Sequence, residues 1–331
     1  MSELRMERAP VLDTIKRLLK KILDEYSIVL VTLFIFVACY FLDYFFGTGR
    51  FLTVGNLMAI VRNASFVGII ALGMTFVIIA GGIDLSAGHI MATSGAALIV
   101  LQANPENPLL LALLACVVVA VAIGALSGTI ITKANLPPFI VTLAIGIFFR
   151  SVTMFFLQGA SVQGHVVPEF TNIGMGSIGI IPNPFIAFLL LAGILGFILK
   201  YTKFGSYVYA VGGNENAARY SGINVDRVRL FTYMLLGLCI GIAAVFNFSR
   251  MASVSAALSG YLYEFDAITA AVIGGTALSG GRGRIIGTIM GVLIITVVTN
   301  ILIMLNMSPF LQGATKGLII LAAVLLQKQS K

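Results

Sequence analysis

The chain has 331 residues, of which 59% are hydrophobic and only 10% charged, with a mean hydropathy of +1.04. Water-soluble domains carry about 25% charged residues, so this composition excludes a soluble globular protein and assigns the chain to the lipid bilayer. The formal charge of +8 comes from basic residues at the ends of apolar runs and not from a basic stripe, which argues against nucleic acid as a partner.

Residues 1–27 read as a mixed-charge, amphipathic cytoplasmic segment. No small-residue cleavage site follows the first apolar run, so that run is expected to remain as a span. Apolar runs near the ~20 residues needed to cross hydrocarbon lie at 28–46, 57–80, 87–103, 109–131, 139–157, 185–199, 230–248, 264–280, 285–304 and 310–326. The expected fold is all-α: a polytopic integral membrane protein of about ten transmembrane helices over 28–327, several broken by glycine, with a short tail at 328–331. Basic residues orient it. With both termini cytoplasmic, the inner segments hold sixteen of the 21 Lys and Arg, and the outer segments only Arg50 and Arg250. The segment Gln158–Pro184 has neither, as an outer loop should.

Two breaks share a pattern. Gly81-Gly82-Ile83-Asp84-Leu85-Ser86-Ala87-Gly88 and Gly274-Gly275-Thr276-Ala277-Leu278-Ser279-Gly280-Gly281 agree as Gly-Gly-x-x-Leu-Ser-x-Gly. Irregular backbone at membrane depth is tolerated only where protein buries it or water lines it, and broken helices in corresponding places point to a substrate route. Gly81, Gly82, Asp84, Ser86, Gly274, Gly275 and Ser279 are therefore candidates for a route near an inner gate; ordinary Gly-rich turns between spans are the alternative. Among the few charges in or near spans are Asp84, Arg150, Glu264, Asp266 and Lys316. Asp84 is expected near the inner surface, and Glu264 and Asp266 near the outer one. Asp266 joins the route candidates because an intramembrane carboxylate is costly to keep without a role.

Glycines at four-residue spacing (Gly124/Gly128, Gly237/Gly241, Gly283/Gly287/Gly291, Gly313/Gly317) let helices approach closely, within one bundle or between copies. The three cysteines, Cys39, Cys116 and Cys239, sit inside apolar runs and read as packing residues. No phosphate-binding G-x-x-x-x-G-K-[ST] loop, nucleophile elbow or His/Cys cluster is present, so the chain carries no enzyme signature and no cofactor motif.

The polar segment 200–229 stands apart. Asn214 is placed to cap a short helix and Gly222 to end it, with small Ala217 and Ala218 on its surface. Such a loop suits contact with a partner in water.

At this point the residues resemble the membrane subunits of ribose-type ABC sugar importers, from about Phe51 to Gln327. The likeness rests on three motifs in one order: 73–88 (Gly-Met-Thr-Phe-Val-Ile-Ile-Ala-Gly-Gly-Ile-Asp-Leu-Ser-Ala-Gly), 209–225 (Tyr-Ala-Val-Gly-Gly-Asn-Glu-Asn-Ala-Ala-Arg-Tyr-Ser-Gly-Ile-Asn-Val) and 264–283, which begins Glu-Phe-Asp-Ala-Ile-Thr-Ala-Ala-Val-Ile-Gly-Gly. The resemblance implies a permease of the bacterial cytoplasmic membrane for a monosaccharide such as ribose. It implies a second permease copy or paralogue, an extracytoplasmic sugar-binding protein, and a cytoplasmic ATPase holding ATP-Mg, with no cofactor on this chain. It also implies that Asn214, Glu215, Asn216, Ala217, Ala218, Arg219 and Gly222 engage that ATPase. The chain departs from the best-known importers, where Glu opens the Ala-Ala-x-x-x-Gly core; here Asn216 stands there, with Glu215 before it. An H⁺- or Na⁺-coupled carrier is the rival reading.

Overall fold

A computed structural model describes residues 28–329; the amphipathic segment expected at 1–27 lies outside them. The chain runs through α1 (Ile28–Phe46), α2 (Val54–Ile79), α3 (Ala87–Ala103), α4 (Leu109–Ala134) and α5 (Pro138–Phe156). A segment with β1 (Ser161–Gln163), α6 (Pro168–Met175), β2 (Ser177–Ile178) and β3 (Ile181–Pro182) follows. Then come α7 (Asn183–Tyr201), α8 (Lys203–Gly213), α9 (Glu215–Tyr220), α10 (Val225–Met251) and β4 (Ser253–Ser255). The chain finishes with α11 (Tyr263–Ile273), α12 (Ile285–Met304) and α13 (Pro309–Gln329).

Seven of these helices (α1, α2, α4, α5, α7, α10 and α12) are long and apolar enough to cross a membrane. The fold is thus that of an all-helical, polytopic membrane protein. The span expected at 264–280 is helical only as far as Ile273, because Gly275 turns the chain with φ +88°, a region that L side chains avoid. α13 reaches Gln329, two residues past the expected end at 327.

Helix α2 is buried on all sides from Ala64 to Ile79. A helix apolar all round belongs at the centre of a bundle, and α7, α10, α11 and α12 pack around it. Spaced glycines make the tightest crossings. A Cβ on Gly124 or Gly128 would strike α10 at Tyr233 or Leu230, and one on Gly237 or Gly241 would strike α4 at Ala120 or Val117. Gly287 and Gly291 likewise rest on the backbone of α11 at Gly274 and Ala270. These faces are therefore spent within the chain.

The two ends of the bundle differ. At one end β1 pairs antiparallel with β4, Val162 opposite Val254. At the other lie α8 and α9, joined to α10 by a short turn.

Candidate functional site

Helix α9 is specified by its own residues. The Asn214 side chain accepts the Ala217 N–H at 2.9 Å and opens the helix. Its far end is a Schellman closure: Gly222, at φ +81°, donates to the Arg219 carbonyl, and Ile223 donates to the Ala218 carbonyl. Asn224 then caps α10 through the Arg227 N–H at 3.0 Å. Ala217 is exposed, but Ala218 is buried at 4% exposure, which corrects its expected surface position. In a six-residue helix laid against its neighbours, one side must face inward. Tyr220, at 92% exposure, is the side chain presented instead, and its aromatic body at the tip was the signal that sequence reasoning passed over.

Ion pairs clasp α9 to α10. Glu215 binds Arg229 at 2.6 Å and Arg219 at 3.1 Å, and Arg219 also reaches Asp226 at 3.2 Å. Partial burial pushes the Glu215 carboxyl up, but hydrogen bonds and charge from Arg229, then Arg219, outweigh it and hold the group below its ordinary range. A carboxyl lowered on folding contributes above its unfolded value, and that contribution is lost as pH falls through the folded value. A spin label at position 220 should therefore keep constant mobility from neutral pH down through the ordinary glutamate range and loosen only below it. The Glu215→Gln variant should show no such step; equal profiles would mean that charge does not hold the clasp.

Directly behind α9 three glycine-rich stretches meet backbone to backbone. Gly281 donates its N–H to the Ile79 carbonyl at 2.9 Å. Gly212, at the end of α8, lies against both partners, so that a Cβ there would overlap the Ile79 oxygen. Gly280 rests on the Gly212 carbonyl and on Gly81, and Tyr209 on α8 donates to the Gly283 carbonyl at 2.7 Å. The two Gly breaks thus converge on each other and on the clasped helix. Gly212-Gly213 was missed in the sequence as a member of this set, although it is a Gly-Gly pair like 81–82, 274–275 and 280–281.

Above this junction the expected depths are overturned. Asp84 and Glu264 were assigned to opposite surfaces, but Gly88 of α3 touches Gly260, and the Glu264 carboxylate lies against Gly88. The non-helical stretch 80–86 leads from the junction to α3, opening with a turn at Ala80 and Gly81 and closing at Ser86, whose backbone is near-helical (φ −96°, ψ −9°). From β4, residues 256–262 descend to the same level, where α11 begins and runs its 11 residues back to the junction, ~16 Å at 1.5 Å per residue. Each segment is part helix and part irregular backbone, which at membrane depth must be buried in protein or line water: Asp84, Ser86, Ala256 and Gly260 are buried, whereas Leu258 and Tyr261 are exposed.

A polar layer occupies this level. Asp84, 1% exposed, accepts the Ser86 N–H and the Ser86 hydroxyl, each at 2.6 Å. Thr142 accepts the Leu85 N–H at 3.0 Å. Asp84 and Glu264 thereby set two carboxylates at the N-terminus of α3, where the helix dipole favours negative charge. Arg150 donates to the Ser259 carbonyl at 2.8 Å and to that of Ala257, holding the descending loop. Asp266 pairs instead with Lys316 of α13 at 2.7 Å. Ser279 is exposed beside the junction, away from this layer. Gly82 faces the Tyr233 hydroxyl, whereas Gly275 has open space, so bulk at 275 meets backbone strain alone.

Among the described residues, buried Asp84 Oδ2, Glu264 Oε2, His89 Nδ1 and Tyr233 Oη have no hydrogen-bond partner. Each such group costs about 1–3 kcal/mol in an apolar interior, so the layer is suited to meet water or a polar solute. His89 and Tyr233 carried no sequence signal, since neither belongs to a motif with recognisable spacing.

The family model for the permease component of branched-chain amino acid transport systems matches residues 56–324. The chain belongs to that family. It is 44% identical over 280 residues to the ribose import permease protein of Bacillus subtilis (strain 168), covering 84% of this chain and 86% of that one. The ribose import permease protein of Haemophilus influenzae is 38% identical, over 83% of this chain and 85% of its own. The xylose transport system permease protein of Escherichia coli (strain K12) is 30% identical, over 86% and 87%. No solved structure matches. The chain is therefore a multi-pass membrane transport subunit.

Proposed function

We propose that the chain is the permease subunit of a binding-protein-dependent ABC importer for a monosaccharide such as ribose, in the bacterial cytoplasmic membrane. Ten membrane segments, with those of α3 and α11 part helical and part irregular and both termini cytoplasmic, agree with the Lys/Arg distribution. Two permease copies would enclose the route, fed by an external sugar-binding protein. A partner ATPase holding ATP-Mg would receive α9, with Tyr220 entering its groove and Asn214, Glu215, Asn216, Ala217, Arg219 and Gly222 shaping the contact. The ribose permeases at 37–44% identity support the substrate class.

One observation carries the mechanism: the short path from α9 through Gly212 to Ile79 and Gly281, and thence to the segments bearing Asp84 and Glu264. Closure of the ATPases would displace α9, and the backbone junction would pass that displacement to both interrupted segments without slack. Uptake then depends on differential contacts in two states, with no chemical step on this chain. The hydroxyls of a sugar would meet the unpartnered groups of the polar layer.

Glu215→Lys breaks the clasp and Gly222→Val forces a β-branched residue to φ +81°. Both variants should insert at parental abundance yet lose at least about tenfold in uptake per ATP hydrolysed in proteoliposomes, a loss of ~1.4 kcal/mol of coupling. Parental coupling in both would overturn the assignment of α9. Uptake driven by an H⁺ or Na⁺ gradient without ATPase would establish the rival carrier instead.

A further inference from the structure

A groove of about 420 Å³ opens sideways between α4, α7, α8 and α10, toward the α8–α9 end of the bundle. Val121, Ile198, Phe204, Phe231, Leu235 and Leu238 line it, and it offers no polar group to a solute such as a sugar. Its floor is aromatic: Phe204 packs edge-on against Phe231 and stacks on Phe76.

The rim has a different character. On α10 the lining residues Phe231, Leu235 and Leu238 follow Arg227 at i+4, i+8 and i+11. Arg227 therefore stands on the same helix face, ~6 Å nearer the end of the bundle. Lys203 immediately precedes Phe204 in the first turn of α8. Both cations are exposed, and neither enters an ion pair found among the described residues. The acids closest in sequence, Glu215 and Asp226, are already taken by Arg219 and Arg229.

An apolar slot at inner-leaflet depth beneath two free cations matches one chemistry. We propose that this groove binds an anionic phospholipid of the cytoplasmic leaflet, with an acyl chain along Phe231, Leu235 and Leu238 and the phosphate between Lys203 and Arg227. A second copy is a poorer occupant, because a two-fold contact here would bring Lys203 and Arg227 toward their own counterparts. A zwitterionic lipid would fill the slot but leave the net positive charge uncompensated. The site requires only that the chain is membrane-embedded with α8–α9 cytoplasmic; it stands whether or not α9 docks on an ATPase.

Native mass spectrometry of the purified full-length permease tests this, titrated with phosphatidylglycerol and phosphatidylcholine of identical acyl chains. Phosphatidylglycerol should be retained with roughly tenfold or greater preference, as expected for two basic groups near a headgroup. The Lys203→Gln/Arg227→Gln pair, both solvent-facing, should lose that preference while keeping parental helicity and monodispersity. Leu238→Trp should lower retention of both lipids by filling the slot. Equal binding of the two lipids by the parent protein, or an unchanged preference in the double variant, would overturn the proposal. So would efficient disulfide crosslinking between copies through Leu238→Cys, which would make the groove a protein interface.

Discussion

Replacing Gly212 with valine is expected to abolish uptake while its neighbour Gly213 tolerates alanine. A Cβ at 212 would overlap the Ile79 carbonyl oxygen and crowd the Gly281 amide, both backbone atoms that cannot rotate away. A Cβ at 213 meets nothing within 4 Å. Overpacking against backbone costs on the order of 3 kcal/mol, roughly a hundredfold in the equilibrium it opposes. The strain falls on the one contact that joins α8–α9 to both Gly breaks. Transport per unit of membrane-inserted permease, with ATPase co-purification measured in parallel, separates lost coupling from lost protein. If Gly212→Val transports like Gly213→Ala, the junction passes no motion and the coupling must run through α10 alone.

The second large effect is expected at Asp84. Asp84→Leu removes the acceptor of both the Ser86 amide and the Ser86 hydroxyl at the start of α3. Orphaning buried donors costs about 1–3 kcal/mol each, and the half-helix loses a carboxylate at its positive end. Uptake should fall more than about tenfold. Asp84→Asn keeps one acceptor oxygen of the same shape and should retain an intermediate rate. That ordering, Asp above Asn above Leu at equal membrane abundance, identifies a hydrogen-bonding role. Parental transport by Asp84→Leu would show that the polar layer is not the route, which would then have to be sought elsewhere in the bundle.

Much of the local architecture was legible in the residues. Asn214, Gly222 and Asn224 specify a capped helix, a left-handed stop and a second cap, and each acts within four positions of itself. The long helices follow from unbroken apolar runs, and the helical stop before Gly274-Gly275 follows from glycine's freedom at positive φ. Where the reading erred, it assumed that each apolar run crosses the whole bilayer. That assumption put Asp84 and Glu264 at opposite surfaces. The run at 264–280 in fact holds an 11-residue helix that ends at Ile273, and α3 starts only after the non-helical stretch 80–86.

The sequence by itself determined that this chain lives in a bilayer, that its long apolar runs are helical, and that a short capped helix projects from it. Those properties depend on hydrophobicity and on caps acting over a few residues, so no partner segment has to be known. Only the tertiary structure decided that Gly81, Gly212 and Gly281 meet, that Gly88 rests on Gly260, and that Asp84 and Glu264 flank one helix start. A glycine carries no side chain to announce its partner, and these contacts join backbone atoms more than a hundred residues apart in several cases. Nothing in the local pattern encodes them; they arise when the ends of α2 and α8, the start of α3 and the loops flanking α11 pack closely enough for their backbones to touch.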